Sequence, residues 1–77
     1  MNSKEIQDRL DTIQSNTNRL TIGIALSRDV LAIHSISKQA REFHSQNILG
    51  NQEELARLQI MRKHLTRELA EQTINNN

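Results

Sequence analysis

The sequence contains no cysteine, no proline and only one aromatic residue, Phe43. The absence of cysteine excludes disulfide bonds and thiolate metal sites, and it is consistent with a cytoplasmic protein. No run of about 18 or more apolar residues is present, so we expect no membrane-spanning helix. The N-terminal segment MNSKEIQDRL lacks the apolar core of a signal peptide. These absences predict a cytoplasmic location.

An excess of charge of one sign is also lacking. Ten Lys and Arg residues stand against nine Asp and Glu residues, which gives a formal net charge of +1. Nucleic-acid-binding domains usually carry a strong basic excess, and here acidic and basic residues are interleaved as on a solvated helix surface. The charge balance therefore disfavours nucleic-acid binding. A small dimeric transcriptional regulator that binds nucleic acid remains the alternative interpretation, because small helical dimers often regulate transcription.

The chain is short for a protein that must form its own hydrophobic core. It has 77 residues, of which 35% are hydrophobic. In chains below about 70–80 residues, a core rarely leaves more than about 3–5 kcal/mol of net stability. Since disulfides are excluded, association is the remaining way to bury more surface. We therefore predict one small helical domain over residues 1–77 that associates with itself or with another protein.

The residues that are present favour helix throughout. Leu, Gln, Glu, Arg and Ala have good helix propensity and dominate the chain, which predicts an all-α fold. Asn51, followed three residues later by Glu54, matches a capping box at a helix start. Gly50, directly before it, suits the end of the preceding helix. These signals predict a turn near residues 47–51.

The predicted fold is therefore a helical hairpin. A long helix over about 3–47 precedes the turn, and a second helix covers residues 52–72. The polar residues 73–77 form a tail that we expect to fray. A break at Ser15–Asn18 remains open, since Ser, Asn and Thr compete for backbone hydrogen bonds. The apolar spacing runs through that segment without a phase change, which favours a continuous first helix.

One of two apolar stripes on the first helix predicts the hairpin contact. It steps by fours and threes from Ile22 to Phe43, as a coiled-coil seam does. After a turn near 47–51, Leu65 is expected to face Ile33 in the densest part of the core. The predicted hairpin seam consists of Leu26, Ile33, Ile36, Ala40 and Phe43 on the first helix and Leu55, Leu58, Met61, Leu65 and Leu69 on the second.

The other apolar stripe has no cover within that hairpin. We therefore predict that it contacts a second copy of the chain, which gives an oligomeric helical bundle, or an amphipathic helix of another protein. The predicted interface consists of Ile6, Leu10, Ile13, Leu20, Ile24 and Leu31.

Two charged residues, Asp29 and Arg62, interrupt the predicted seam. In the predicted register they are about 10 Å apart along the helix axes, so they do not pair within one hairpin. We predict that they act as specificity charges: at least one of them meets an opposite charge across a chain interface and fixes its register.

The sequence contains no motif for catalysis, a cofactor or a metal. His34, His44 and His64 are not spaced to form a helical metal pair, and the pair Ser27 and Asp29 has no histidine in the predicted register for a Ser-His-Asp arrangement. We therefore predict a non-enzymatic protein–protein interaction module, a chaperone-like or regulatory adaptor. Its layout is similar in outline to co-chaperones of secretion needle subunits and small phage or plasmid regulators, but no motif identifies a family.

Overall fold

The computed structural model describes residues 1–75 and shows an all-α helical hairpin. Helix α1 spans Ser3–Leu31 and helix α2 spans Lys38–Asn75. The two helices pack antiparallel along their length and give an elongated molecule of 61 × 15 × 14 Å. The predicted all-α hairpin of two long helices is confirmed.

Helix α1 begins directly after Asn2, which caps it. The side chain of Asn2 accepts a hydrogen bond of 2.8 Å from the backbone N–H of Glu5, which satisfies one of the free donors of the first turn. The helix continues through Ser15–Asn18 without a break. There the Gln14 amide donates to the Asn18 side chain and the Thr21 hydroxyl donates to the Thr17 carbonyl. These polar groups bond along the helix instead of interrupting it.

The predicted position of the turn is wrong. The chain reverses over residues 32–37, and residues 47–51 lie inside α2. Ser37 caps the second helix, since its Oγ accepts from the N–H of Ala40 at 3.1 Å and its carbonyl accepts from the N–H of Arg41 at 3.0 Å. A turn at 32–37 divides the chain into helices of 29 and 38 residues, so that α1 is paired along its whole length. A turn near 47–51 would have left half of the long helix without a partner.

The core lies in the half of the hairpin that contains the chain ends. Ile6, Ile13, Leu58 and Leu65 form one buried cluster, and Ile24 is buried farther along the same face of α1. Half-buried hydrophobic residues pack against the cluster: Leu10, Leu20 and Leu69. The stripe that begins at Ile6 is therefore covered by α2 of the same chain.

The predicted seam register is wrong for the same reason as the turn. Leu65 is buried as expected, but it packs in the cluster with Ile6 and Ile13, whereas Ile33 is exposed in the turn. Because the chain reverses earlier than predicted, each position of α2 faces a residue closer to the N-terminus of α1. Phe43 and Leu55, predicted to lie on opposite helices of the seam, both lie on α2.

Residues 73–75 continue α2, and residues 76 and 77 lie outside the described part of the chain. The fraying of the predicted tail 73–77 stays a prediction. Both helices have the length to cross a bilayer, but in the described part of the chain neither contains a sufficiently apolar stretch to do so.

Candidate association surface

The contact between α1 and α2 becomes polar towards the turn. Ser27 is only 6% exposed, and its Oγ lies 3.1 Å from Nδ1 of His44. A β-carbon built on Gly23 would lie 3.2 Å from Nδ2 of Asn51, so the helices approach closely at that level. The Oγ1 of Thr17 is buried without a hydrogen-bond partner among the described residues. This half of the hairpin therefore buries little apolar surface.

The pairing of Ser27 with His44 was missed from the sequence because the predicted turn put these residues out of register. It joins a hydroxyl and an imidazole. Asp29 lies on the opposite side of α1 from Ser27, because residues two positions apart in a helix differ in direction by about 200°. The Ser27 hydroxyl is enclosed between the helices, where a substrate has no access. The pair links α1 to α2 and does not form a Ser-His-Asp arrangement.

The apolar residues that the contact does not use lie on the outside. Exposed hydrophobic residues of this number suggest an association surface. Those with large side chains on the helices and in the turn are Ile22, Leu26, Ile33, Phe43, Leu49, Ile60, Met61 and Ile74.

The stripe predicted to contact a partner lies instead in the contact between α1 and α2. Of the predicted interface residues, Ile6, Ile13 and Ile24 are buried between the helices, and the other three are half-buried: Leu10, Leu20 and Leu31. This stripe therefore offers no free face to a partner. The intrachain contact already covers it.

The predicted seam is divided between inside and outside. Leu58 and Leu65 are buried, and a second group is half-buried: Ile36, Ala40, Leu55 and Leu69. The remaining members are exposed: Leu26, Ile33, Phe43 and Met61. On α1, the face predicted to form the seam is therefore the free one.

The two predicted specificity charges are exposed and far apart. Asp29 lies near the end of α1 beside the turn, and Arg62 lies in the part of α2 that packs on the beginning of α1. Within residues 1–75 neither side chain forms an ion pair. Their role across a chain interface stays a prediction.

Four exposed residues form a line on the outer side of α1, which we call the outer stripe: Arg19, Ile22, Leu26 and Asp29. At about 100° per residue their directions fall within an arc of about 80°. The centre of this arc points about 180° away from Ile24, which is buried against α2. The outer stripe therefore faces directly away from the hairpin contact.

The charged groups around Arg19 leave it available. The guanidinium of Arg57 donates to Glu54 at 2.9 Å, and this hydrogen bond is the main reason that the pKa of Glu54 lies below its ordinary value, with Coulombic contributions from Arg57 and Arg19. Glu54 thus has a close partner of its own. The only side-chain hydrogen bond of Arg19 within residues 1–75 is a long one, 3.5 Å to Asn16.

Two shallow grooves flank the contact between the helices. One is lined by Thr12, Ile13, Asn16, Arg57 and Met61, among others. The other is lined by Thr21, Ile24, Ala25, Gln52 and Leu55, among others. Within the described residues no three side chains of the metal-binding types come together. The candidate site is therefore the exposed apolar surface described above.

Comparison with known proteins adds no relative: no family model, curated protein or solved structure matches the chain.

Proposed function

We propose that this protein is a non-enzymatic association module, a small helical adaptor or regulator that self-associates through its exposed apolar faces. The observation that carries the proposal is an excess of surface. The chain exposes 5895 Å², whereas a compact monomer of its mass, 8.9 kDa, is expected to expose about 4,800 Å². The excess of about 1,100 Å² is similar to the roughly 800 Å² that each partner buries in a standard interface.

The shape of the chain supports the same proposal. Its radius of gyration is 17.5 Å, against about 11.5 Å for a compact domain of this length. Two helices side by side bury only one face of each, while side-by-side pairing of two hairpins gives a four-helix bundle with a shared core. A net charge of +1 opposes such pairing only weakly.

The proposal is tested by comparing two matched variants, Leu26→Lys and Ile60→Lys. The two side chains are almost equally exposed, 61% for Leu26 on α1 and 59% for Ile60 on α2. Light scattering coupled to size-exclusion chromatography gives the mass at micromolar concentrations. We expect the unmodified chain to run as a dimer or larger species, and Leu26→Lys to shift it towards 8.9 kDa.

Ile60→Lys adds the same charge to the exposed side of α2, and we expect it to leave the mass unchanged if the contact is on α1. A fall in mass in Ile60→Lys alone would still support association but would place the contact on α2. Circular dichroism shows whether each variant keeps its helices. A helical, unmodified chain that stays at 8.9 kDa throughout the concentration range contradicts the proposal.

Binding to nucleic acid is the rival function and has its own readout. Binding to random duplex DNA is measured as a function of salt concentration, because each neutralised phosphate adds to the slope of the binding constant against salt. We expect no saturable binding at physiological salt. Tight binding with a steep salt slope would replace the association module with a nucleic-acid-binding regulator.

A further inference from the structure

The outer stripe of α1 has a symmetric pattern of residue types. Arg19, Ile22, Leu26 and Asp29 follow one another at steps of three, four and three. The spacing reads the same in both directions. The two apolar residues lie in the middle, and the two ends carry opposite charges.

This pattern is complementary to itself under a two-fold rotation. Along the helix axis, Arg19 and Asp29 each lie about 7.5 Å from the midpoint of the stripe, and Ile22 and Leu26 each lie about 3 Å from it. Around the axis, Arg19 deviates by about 40° to one side and Asp29 by about 40° to the other, while the two apolar residues deviate by about 20°. A two-fold axis at the level of the midpoint therefore brings each residue to the same height as its complement on the partner, on the neighbouring side of the midline.

Building on the proposed function, we infer that the partner of the outer stripe is a second copy of this chain, with the two α1 helices packed antiparallel. Arg19 then lies opposite the partner's Asp29, and Ile22 lies opposite the partner's Leu26. Each contact occurs twice, as in any interface of two-fold symmetry. The dimer therefore has two ion pairs that flank a central group of four aliphatic side chains.

The side chains of the outer stripe are free to make these contacts. Ile22 and Leu26 are 60% and 61% exposed. Asp29 has no ion-pair partner in the part of the chain that the structure describes. Glu54 of α2, on which Arg19 has a Coulombic effect, is hydrogen-bonded to Arg57. No bond within the hairpin has to break before a second copy binds, apart from the long one between Arg19 and Asn16.

The charges also specify the orientation of the dimer. If the two α1 helices packed parallel in register, Arg19 would face the partner's Arg19 and Asp29 would face the partner's Asp29. Juxtaposed like charges disfavour that arrangement.

On α2, Glu53, Ala56, Ile60 and Lys63 repeat this spacing with opposite charges at the ends. The centre of that set has one large aliphatic side chain, because Ala56 is small, whereas the outer stripe has two, Ile22 and Leu26. The outer stripe therefore offers the larger apolar contact to a second copy.

Charge reversal tests the pairing directly. In Arg19→Asp, two new carboxylates face the partner's Asp29 residues across the dimer, and in Asp29→Arg two new guanidinium groups face Arg19. We expect each single variant to raise the dimer dissociation constant about tenfold at low salt, since two attractive contacts become repulsive. The double variant exchanges the charges, restores both ion pairs and should return to within about twofold of the unmodified chain.

Matched controls come from exposed charges outside the outer stripe. Lys63→Asp and Glu53→Arg change the net charge by the same amounts as the two test variants. Both positions are on α2, at the two ends of the similar spacing there, so a weaker dimer in these variants alone would place the interface on α2 and overturn the inference. We expect neither to change the dissociation constant by more than about twofold. Circular dichroism confirms that all variants remain helical.

The outcomes separate this inference from the proposed function. If the unmodified chain dimerises but the single reversals do not weaken the dimer, or the double variant does not recover, the outer stripe is not the interface and the association module stands with another face. If the unmodified chain is a folded monomer, the proposed function itself fails. Weakening by both single variants with recovery in the double variant supports the antiparallel pairing.

Discussion

At the residue scale, the apolar pattern of the last helix alone predicts that Leu65 is buried, but it does not predict which residues Leu65 contacts. The sequence predicts that Leu58 and Leu65 lie on one apolar face, and both are buried. The side chains that they meet, Ile6 and Ile13, were predicted to contact a second copy or another protein. Helical periodicity identifies the buried face of a helix, but it does not identify the helix that covers it.

The buried position of Leu65 gives the first prediction. Leu65→Ala removes side-chain atoms from the cluster with Ile6 and Ile13 and should reduce the free energy of unfolding by about 2–5 kcal/mol. The measurement is urea denaturation followed by circular dichroism. Ile60→Ala, on the exposed side of the same helix, is the control and should change stability by no more than about 0.5 kcal/mol. Equal effects of the two substitutions would show that Leu65 is not in the core.

Ser27 gives the second prediction. Ser27→Ala removes the hydroxyl that lies 3.1 Å from Nδ1 of His44, and it should cost about 0.5–1.5 kcal/mol relative to a control serine. Ser45→Ala is that control, because Ser45 is exposed on α2 and gains the same helix propensity from alanine. The difference between the two unfolding free energies measures the hydrogen bond. No difference would mean that Ser27 and His44 do not stabilise the hairpin.

At the scale of the elements, the contrast between Gly50 and Ser37 explains which parts of the fold were predicted. The all-α class, the start of α1 and its continuity follow from local propensity and capping. The turn does not, because Gly50 and the capping-box pair Asn51 and Glu54 form the stronger local signal, yet they lie inside α2. Ser37, which does cap α2, has Ala40 where a full capping box has an acid. Pairing of the two helices along their length decides between these signals.

Gly50 gives the third prediction, which tests the position of the turn. Its φ is not positive, and a β-carbon there would meet nothing within 4 Å. Gly50→Ala should therefore stabilise the hairpin by about 0.5–1 kcal/mol, because alanine loses less conformational freedom in a helix. If residues 47–51 formed a turn with Gly50 in a left-handed conformation, the same substitution would destabilise the protein.

Gly23→Ala is the matched control for Gly50→Ala. Both glycines lie inside helices, but a β-carbon on Gly23 would approach Nδ2 of Asn51 to 3.2 Å. The side chain of Asn51 would have to move, so we expect a smaller gain than at Gly50. Thermal unfolding of the two variants side by side gives the comparison, and a larger gain at Gly23 would argue against the close approach of the helices at that level.

At the scale of the whole molecule, the hairpin is long and thin, and large apolar side chains lie on its outside as well as in its core. The residues from Ile22 to Phe43 were predicted as a seam because of their heptad-like spacing. The structure leaves Ile22, Leu26 and Phe43 exposed. The spacing identified Ile22 and Leu26 correctly as apolar residues on one face of a helix, but that face does not form the contact within the hairpin, and Ile33 and Ile36 lie in the turn. A pattern in one chain cannot distinguish a contact within that chain from a contact between two copies.

Asp29 shows the same ambiguity. The sequence indicated that a charge within an apolar stripe is suited to a chain interface, and it offered Arg62 as the other specificity charge. The hairpin places Arg62 far from Asp29 along the molecule. In the inferred dimer, the partner of Asp29 is instead Arg19 of a second copy. This pairing depends on the two-fold symmetry of the dimer, which the apolar spacing of a single chain does not reveal.

The central claim is that the hairpin is completed by a second copy of itself, and sedimentation equilibrium of the unmodified chain tests it most directly. Measured from low to high micromolar concentration at low salt, the weight-average mass should rise from near 8.9 kDa towards twice that value, and it should fit a monomer–dimer equilibrium. A mass that stays at 8.9 kDa over the whole range, with a helical circular dichroism spectrum, would contradict the account.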